Sequence, residues 1–405
     1  MKFRAQKWFN ARTRTFLIRK ILIATVSLSA LSCIFFKMYW LLFGVLILVG
    51  TFLVINKIKR NKKRKRLSWI VKCSVSISVL FSIAITIRIF FIEIYSVPGY
   101  SMKETILPED RIVVNKLIYG PVLPRSPFEI PWINIFYYIY SSSFEKYEYI
   151  SWKYKRLNGF SKIKHQDIVV FRLSEKSIET FIKRCVALPG DTIQIINSQV
   201  YINGNKQIYP NSIKYKYRIF TSDQCNLEEA LCKSGLLHSN QFYAPTSNEC
   251  YIFATDNELM LIQAYITVDS VNRVCETKEV GLQFSGDSDL EWSIDFFGPI
   301  VIPQKGLEIP LTRTNYLLYK DILKHNEGIL IEYQNNTCKI DGGTVTEYAF
   351  RNDYFFVLGD NRYHSEDSRY FGMIPEKLII GRTKRVLFSK SNDQFQWKHL
   401  LRKLE

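Results

Sequence analysis

The sequence predicts N-terminal transmembrane helices followed by a mostly antiparallel β domain that carries a β-rich insertion. Three observations predict it. Long apolar stretches flanked by basic clusters fill the first 92 residues, and short β-branched or aromatic runs bounded by Gly, Pro or Asp follow Pro98. The charge is also divided. Eighteen of the 55 basic residues precede Glu93, the first acidic residue, so the net charge of +18 arises wholly in the N-terminal segment and the remainder is balanced. Basic excess that flanks apolar stretches is a membrane topology signal. A nucleic-acid-binding protein would carry it on a folded face, so no nucleic acid partner is expected.

Residues 1–20 hold Lys2, Arg4, Lys7, Arg12, Arg14, Arg19 and Lys20 without an acid and read as a basic cytoplasmic N-terminus. Residues 21–55 carry no charge except Lys37. As one helix they would run about 50 Å at ~1.5 Å per residue, against a hydrocarbon core of about 30 Å. A helical hairpin turning at Lys37-Met38-Tyr39 fits better. A cleaved leader does not fit, because its apolar core is short. A basic loop, 56–68, precedes a further apolar stretch, 69–92, in which only Lys72 and Arg88 are charged. Basic clusters stay cytoplasmic, so 69–92 is a third span that delivers the rest of the chain to the other side. The lipid bilayer is an expected partner.

The β domain is expected over 93–203 and 346–390. Its strands include Arg111-Ile-Val-Val-Asn, Asp167-Ile-Val-Val-Phe-Arg, Thr192-Ile-Gln-Ile-Ile and Tyr354-Phe-Phe-Val-Leu. Residues 204–345 mix strand-like runs with polar stretches and read as the insertion. In the tail, 391–405, Phe395, Trp397, Leu400, Leu401 and Leu404 fit either an interfacial helix or packing against the domain. Eight cysteines show no metal-type Cys-x-x-Cys pair. Cys225 and Cys232 are either bridged or free, and neither a metal nor a cofactor is expected.

Three segments carry chemistry. The first is Val97-Pro-Gly-Tyr-Ser-Met-Lys-Glu-Thr-Ile-Leu107, in which a Pro-Gly pair places Ser101 on a tight turn. The second is Phe181-Ile-Lys-Arg-Cys-Val-Ala-Leu-Pro-Gly-Asp191, with Lys183 inside an apolar strand. Taken alone, the serine is a turn residue and the lysine an edge-strand residue snorkelling to water. The third, Leu358-Gly-Asp-Asn-Arg-Tyr-His-Ser-Glu-Asp-Ser-Arg-Tyr-Phe-Gly372, is a polar loop whose Arg362 and Arg369 suit a hydrogen-bonded scaffold.

Together, in this order and after N-terminal spans, the three segments resemble the serine, lysine and Gly-Asp-Asn-Arg boxes of type I signal peptidases. The resemblance runs from the last span to about Ser389, without the insertion. It implies a catalytic β domain of signal-peptidase type in the plasma (inner) membrane, multi-pass, with the catalytic domain extracytoplasmic. The implied activity is a serine endopeptidase that removes N-terminal signal peptides from exported preproteins after small residues. Ser101 takes the nucleophile position and Lys183 that of the general base. Ser365 falls where the family orients the lysine amine, and Asp360, Asp367 and Arg369 match its structural polar positions. Glu104 and Ile106 depart from the Ser-Met-x-Pro-Thr-Leu pattern. Gly99 stands where some members carry a serine, so the oxyanion hole falls to the Ser101 backbone amide and the Gly99 region. Val97, Pro98, Met102, Ile106, Phe181 and Ile182 match the shallow substrate pockets, and are equally good core residues.

The chemistry fits these residue types. A hydroxyl attacks an amide only as a base takes its proton. A lysine, with an unperturbed pKa of about 10.4, serves only when neutral, and desolvation in an apolar strand favours that form. Intact Ser101, Lys183 and Ser365 argue against a membrane scaffold, and the spans and Gly-Asp-Asn-Arg box against a soluble self-cleaving Ser/Lys protease. Only nine residues separate Ile92 from Ser101, so at ~3.3 Å per residue the nucleophile stays within about 30 Å of the last span.

Overall fold

The computed structural model describes residues 76–404, except 78, 127–128, 131–151, 176–178, 223, 237–241, 247, 278–291, 335 and 392–393. The expected segments 1–20, 21–55 and 56–68, and the start of 69–92, lie outside the described residues. The chain divides into two compact units, one of residues 1–88 and 126–150, the other of 89–125 and 151–405. In the first, residues 79–86 are helical, and Leu80, Phe81 and Ile83 are exposed. The helix continues as a π-turn, Ile87–Phe91, and gives way at Ile92 to a strand, just before the end expected for the third span. Among the described residues no helix is long and apolar enough to cross a membrane.

The second unit is built on antiparallel strands. β1 (Ile92–Ser96) pairs with β2 (Arg111–Asn115), Tyr95 opposite Ile112. β3 (Ile168–Phe171) and β4 (Phe181–Ala187) pair with Val169 opposite Lys183. β5 (Thr192–Ile196), β6 (Gln199–Ile202) and β7 (Asn205–Lys206) form a meander. Its two turns, Asn197-Ser198 and Asn203-Gly204, have positive φ at both residues, as two-residue hairpins of matching twist require.

The described residues of 204–345 include three α-helices besides strands. β8 (Tyr215–Phe220), α1 (Gln224–Lys233), β9 (Phe242–Thr246), β10 (Glu249–Ala254), α2 (Asp256–Tyr265) and β11 (Ser270–Arg273) make a subdomain whose sheet runs β11-β8-β10-β9. Tyr215, Tyr217 and Ile219 alternate inward on β8 and pack with Leu227, Leu231 and Ile262 of the two helices. Helix α2 begins at a capping box: Thr255 accepts from the Glu258 amide, and Glu258 accepts from the Thr255 amide. Cys225 and Cys232 both lie in α1, seven residues and so ~10 Å apart along the axis, beyond disulfide reach. Cys232 is a free thiol.

Further on, β12 (Phe297–Val301) joins β5, β13 (Glu308–Pro310) precedes α3 (Arg313–His325), and β14 (Ile331–Gln334), β15 (Thr337–Ile340) and β16 (Gly343–Val345) form a small sheet. β17 (Glu347–Ala349) pairs with β13. The chain then returns to the main sheet through β18 (Tyr354–Leu358), β19 (Ile374–Pro375) and the long β20 (Ile379–Ser391), giving the order β1-β2-β20-β3-β4-β18-β19. β21 (Gln394–Gln396) folds back on β20 and a single 3₁₀ turn, Trp397–His399, follows. The tail thus packs on the domain, with Leu404 buried, rather than forming a helix.

The main sheet is covered on both faces, which explains its uninterrupted apolar strands. Ile168, Val170 and Ile182 join Val97, Met102 and Ile106 in one cluster. Val169, Phe171 and Cys185 join Phe355 and Val357 in another. β4 lies between β3 and β18, so Lys183 is on a central strand and is no edge-strand lysine.

Candidate active site

The nucleophile turn is the loop between β1 and β2. Its neck is closed by two hydrogen bonds, from the Val97 amide to Asp110 O (3.0 Å) and from the Glu109 amide to Val97 O (2.8 Å). Within it, Lys103 N donates to Tyr100 O (3.0 Å) and Ile106 N to Met102 O (2.7 Å). Met102 and Ile106 are fully buried, and each such burial contributes about 1.5–3 kcal/mol. They anchor the turn and leave Ser101 half-buried at its crest.

Lys183 reaches that crest. Its Nζ donates to Ser101 Oγ at 2.6 Å, and the residue is 3 % exposed. Burial lowers the amine to about 8; Asp367 and Glu366 pull the other way without cancelling the effect. Among the described residues Lys183 forms no ion pair, and the carboxylates that favour its charged form, Asp367, Glu366 and Asp360, do not offset its burial.

The Gly-Asp-Asn-Arg loop buttresses both partners. Asp360 accepts from Arg184 Nε (2.8 Å) and Nη2 (2.6 Å), and from Thr105 Oγ1 (2.5 Å), tying the residue after the base to the nucleophile turn. Asn361 N donates to Ser101 O (3.0 Å) and its side-chain amide to Tyr100 O (3.2 Å). Asp367 accepts from Arg369 Nε and Nη2 (both 2.8 Å) and from Gly359 N (3.1 Å). Burial alone would raise the Asp367 carboxyl, yet Arg369 and these hydrogen bonds bring it below its usual range. Arg369 also donates to Arg362 O (2.6 Å), closing the loop on itself.

The remaining expected residues fall less uniformly. Among the described residues the buried Ser365 hydroxyl has no hydrogen-bond partner, so the contact to the Lys183 amine expected of it is not made here. It lies against Gly359, where a Cβ would collide with Ser365 Oγ and with Ser101 O. Glycine is required there by this close approach. A Cβ at Gly99 would meet open space. Of the expected pocket residues, Val97, Met102, Ile106 and Ile182 share one cluster, Phe181 packs on the opposite one, and Pro98 is exposed.

Thr105 and Asn361 sit inside motifs already singled out, yet nothing in their spacing announced their bonds. Lys214 carried no signal at all. It is fully buried and paired with Glu104 at 3.0 Å and Glu258 at 2.9 Å. Glu104 itself has φ of 76°, which proline, the residue of the family pattern at that position, cannot adopt.

The family model for signal peptidase, peptidase S26, matches residues 67–249 and 311–388, spanning Ser101, Lys183 and Ser365. Signal peptidase I of Buchnera aphidicola subsp. Baizongia pistaciae (strain Bp) is 26 % identical over 377 residues, 88 % of this chain and 90 % of that protein. Signal peptidase I of Rickettsia bellii (strain OSU 85-389) is 33 % identical over 156 residues, 38 % of this chain and 45 % of that protein. That of Rickettsia prowazekii (strain Madrid E) is 35 % identical over 131 residues, 32 % of this chain and 42 % of its own. With most of its length and both motif-bearing strands inside the family match, the chain belongs to the signal peptidase family, peptidase S26.

Proposed function

We propose that the chain is a membrane-bound serine endopeptidase that removes signal peptides from exported preproteins, with Ser101 as nucleophile and neutral Lys183 as general base. The observation that carries the reading is the 2.6 Å contact between Lys183 Nζ and Ser101 Oγ at a buried amine whose pKa is lowered to about 8.

The geometry supports a two-step displacement. Ser101 Oγ bonds to the scissile carbonyl carbon as its proton passes to Lys183 Nζ. The tetrahedral oxyanion is met by backbone donors, chiefly the Ser101 amide. It collapses as the ammonium of Lys183 returns the proton to the leaving amine, freeing the mature protein and leaving the signal peptide as an ester on Ser101. Water then gives a proton to Lys183 while its oxygen attacks the ester. The ester breaks, Ser101 recovers its proton, and the signal peptide leaves as a carboxylic acid. Buried Arg184–Asp360 and Arg369–Asp367 pairs hold this arrangement without supplying protons. Ser365 is assigned to orient the Lys183 amine once substrate excludes water.

The substrate is an extended preprotein segment ending in small residues, laid along the site as an added strand. Val97, Met102, Ile106 and Ile182 floor the region beside Ser101. An apolar, exposed helical segment leads into β1, which supports cleavage close to the bilayer, and the basic clusters that precede it support the extracytoplasmic side of the plasma membrane. The test is cleavage of a preprotein by the detergent-solubilised full chain. Ser101→Ala and Lys183→Arg should each abolish it while unfolding at near-wild-type temperature. Near-normal cleavage by Lys183→Arg would remove lysine as the base.

A further inference from the structure

We propose that Lys214 is a positioning residue for the nucleophile, clamping the turn that carries Ser101 through an ion pair to Glu104. The proposal rests on the reading of Ser101 as nucleophile. It names a device in the α2 subdomain that acts on the catalytic turn from outside the three boxes.

Lys214 is 0 % exposed, and it touches the site from two directions. Its Nζ lies 3.0 Å from Glu104 Oε1 on the nucleophile turn and 2.9 Å from Glu258 Oε1. Its backbone amide donates to Asp360 O at 3.2 Å, and the residue forms a parallel bridge with Asn361. Asn361 is the residue that donates to Ser101 O and Tyr100 O. One lysine therefore grips the turn by its side chain and the supporting loop by its main chain.

The grip has a fixed base. Glu258 is the third residue of α2, and its second oxygen accepts from the Thr255 amide at 2.7 Å as half of the capping box. It cannot swing away without uncapping the helix. Phe253, just before that cap, stacks edge-on against His364 with ring centroids 4.8 Å apart, which packs the same subdomain against the Gly-Asp-Asn-Arg loop. Glu258 and Phe253 lie in the stretch 250–310 that the family model does not match.

The gripped residue is strained. Glu104 has φ of 76°, a left-handed conformation that a side-chain-bearing residue keeps only where its surroundings hold it. Three residues from Ser101, any relaxation of that backbone moves Oγ relative to Lys183 Nζ. A buried lysine between two carboxylates adds little net stability, since desolvation offsets the attraction, so its value here is geometric. Thr105, bonded to Asp360, and Asn361 hold the turn independently, so losing the Glu104 carboxylate should shift the nucleophile and not unfold the protein.

The experiment measures kcat, KM and thermal unfolding of the solubilised full chain on a soluble signal-peptide-like peptide. The variants are Glu104→Gln, Lys214→Met, the double variant and Lys214→Arg, with Ser101→Ala as reference. Glu104→Gln and Lys214→Met should each lower kcat about tenfold, short of the ~100-fold of a 1 Å misplacement, with KM within about twofold. The double variant should lose no more than Lys214→Met, and Lys214→Arg should recover most of kcat. Wild-type kcat in Glu104→Gln, a loss confined to KM, or losses that multiply in the double variant would each overturn the clamp. If Lys214→Met fails to fold, Glu104→Gln decides alone. Cleavage by Ser101→Ala would sink the nucleophile reading and this proposal with it; an inactive Ser101→Ala beside a fully active Glu104→Gln would sink the clamp only.

Discussion

Lys183 on the central sheet and Lys214 at the edge of the α2 subdomain are buried to nearly the same degree, yet they meet different neighbours. Lys214 is closed between two carboxylates within 3.0 Å. Among the described residues Lys183 meets one hydroxyl and forms no ion pair. Burial by itself disfavours the charged amine; the presence or absence of a contacting carboxylate then decides whether a buried lysine is a strut or a base. The side chain is the same, and its neighbours assign the work.

The sharpest way to break this contrast is to exchange each lysine for arginine, which stays protonated at any accessible pH. Lys183→Arg should lower kcat by about a thousandfold or more, in line with loss of a general base, whereas Lys214→Arg should remain within a few-fold of wild type. Equal losses at both positions would erase the distinction. In the native enzyme, activity should rise with pH through about 8 as Lys183 becomes neutral, and a pH profile flat from 6 to 10 on the log scale would contradict it.

Next in size is Gly359→Ala. The new methyl would collide with Ser365 Oγ and Ser101 O, pushing the nucleophile turn away from Lys183. We expect a loss of about 100-fold in kcat, the scale of a 1 Å misplacement, visible in single-turnover cleavage. Ser365→Ala should cost less, about tenfold, because it removes only the orienting hydroxyl proposed above and leaves the base in place.

Stability separates the two lysines in a different way. The folded-state pKa of Lys183 lies below its value of 10.5, so between about pH 8 and 10.5 the unfolded chain binds more protons and stability rises with pH. Below pH 8 the burial penalty is fully present, on the order of 3 kcal/mol at ~1.4 kcal/mol per pH unit. Lys183→Met should therefore be inactive and more stable than wild type at pH 7, with the gap closing as pH rises past 8. Thermal unfolding at pH 7 and 10 checks this; a destabilised Lys183→Met at pH 7 would mean that the amine is held by partners after all. The smallest effect belongs to Gly99→Ser. With open space around its Cβ, it should fold normally and change kcat by no more than a few-fold, upward if the hydroxyl reaches the oxyanion.

Much of the site was legible because its chemistry is local in sequence. Ser101 and Lys183 each sit in a short motif whose Pro-Gly turn and apolar run are readable from neighbours. The strands Arg111–Asn115 and Tyr354–Leu358 were readable for the same reason. What was not legible depends on distant partners. That β4 is central follows from β3 and β18 arriving on either side, with β18 about 170 residues later. Lys214 looks like any lysine before a strand until Glu104 and Glu258 close on it. The helices of 204–345 were a different kind of miss. Thr255-Asp-Asn-Glu258 is a capping box in plain sequence, and Leu318, Tyr319, Ile322 and Leu323 recur at helical spacing in α3.

The β1–β2 loop that carries Ser101 and the loop leaving β18 are anchored on strands of the same hydrogen-bonded sheet as β4, which carries Lys183. Within such a sheet the amides of the central strands, β4 among them, open only with the whole cooperative unit. Heating should then inactivate the enzyme in the same transition that unfolds it. Protons on the β3 and β4 amides should be among the last to exchange with solvent.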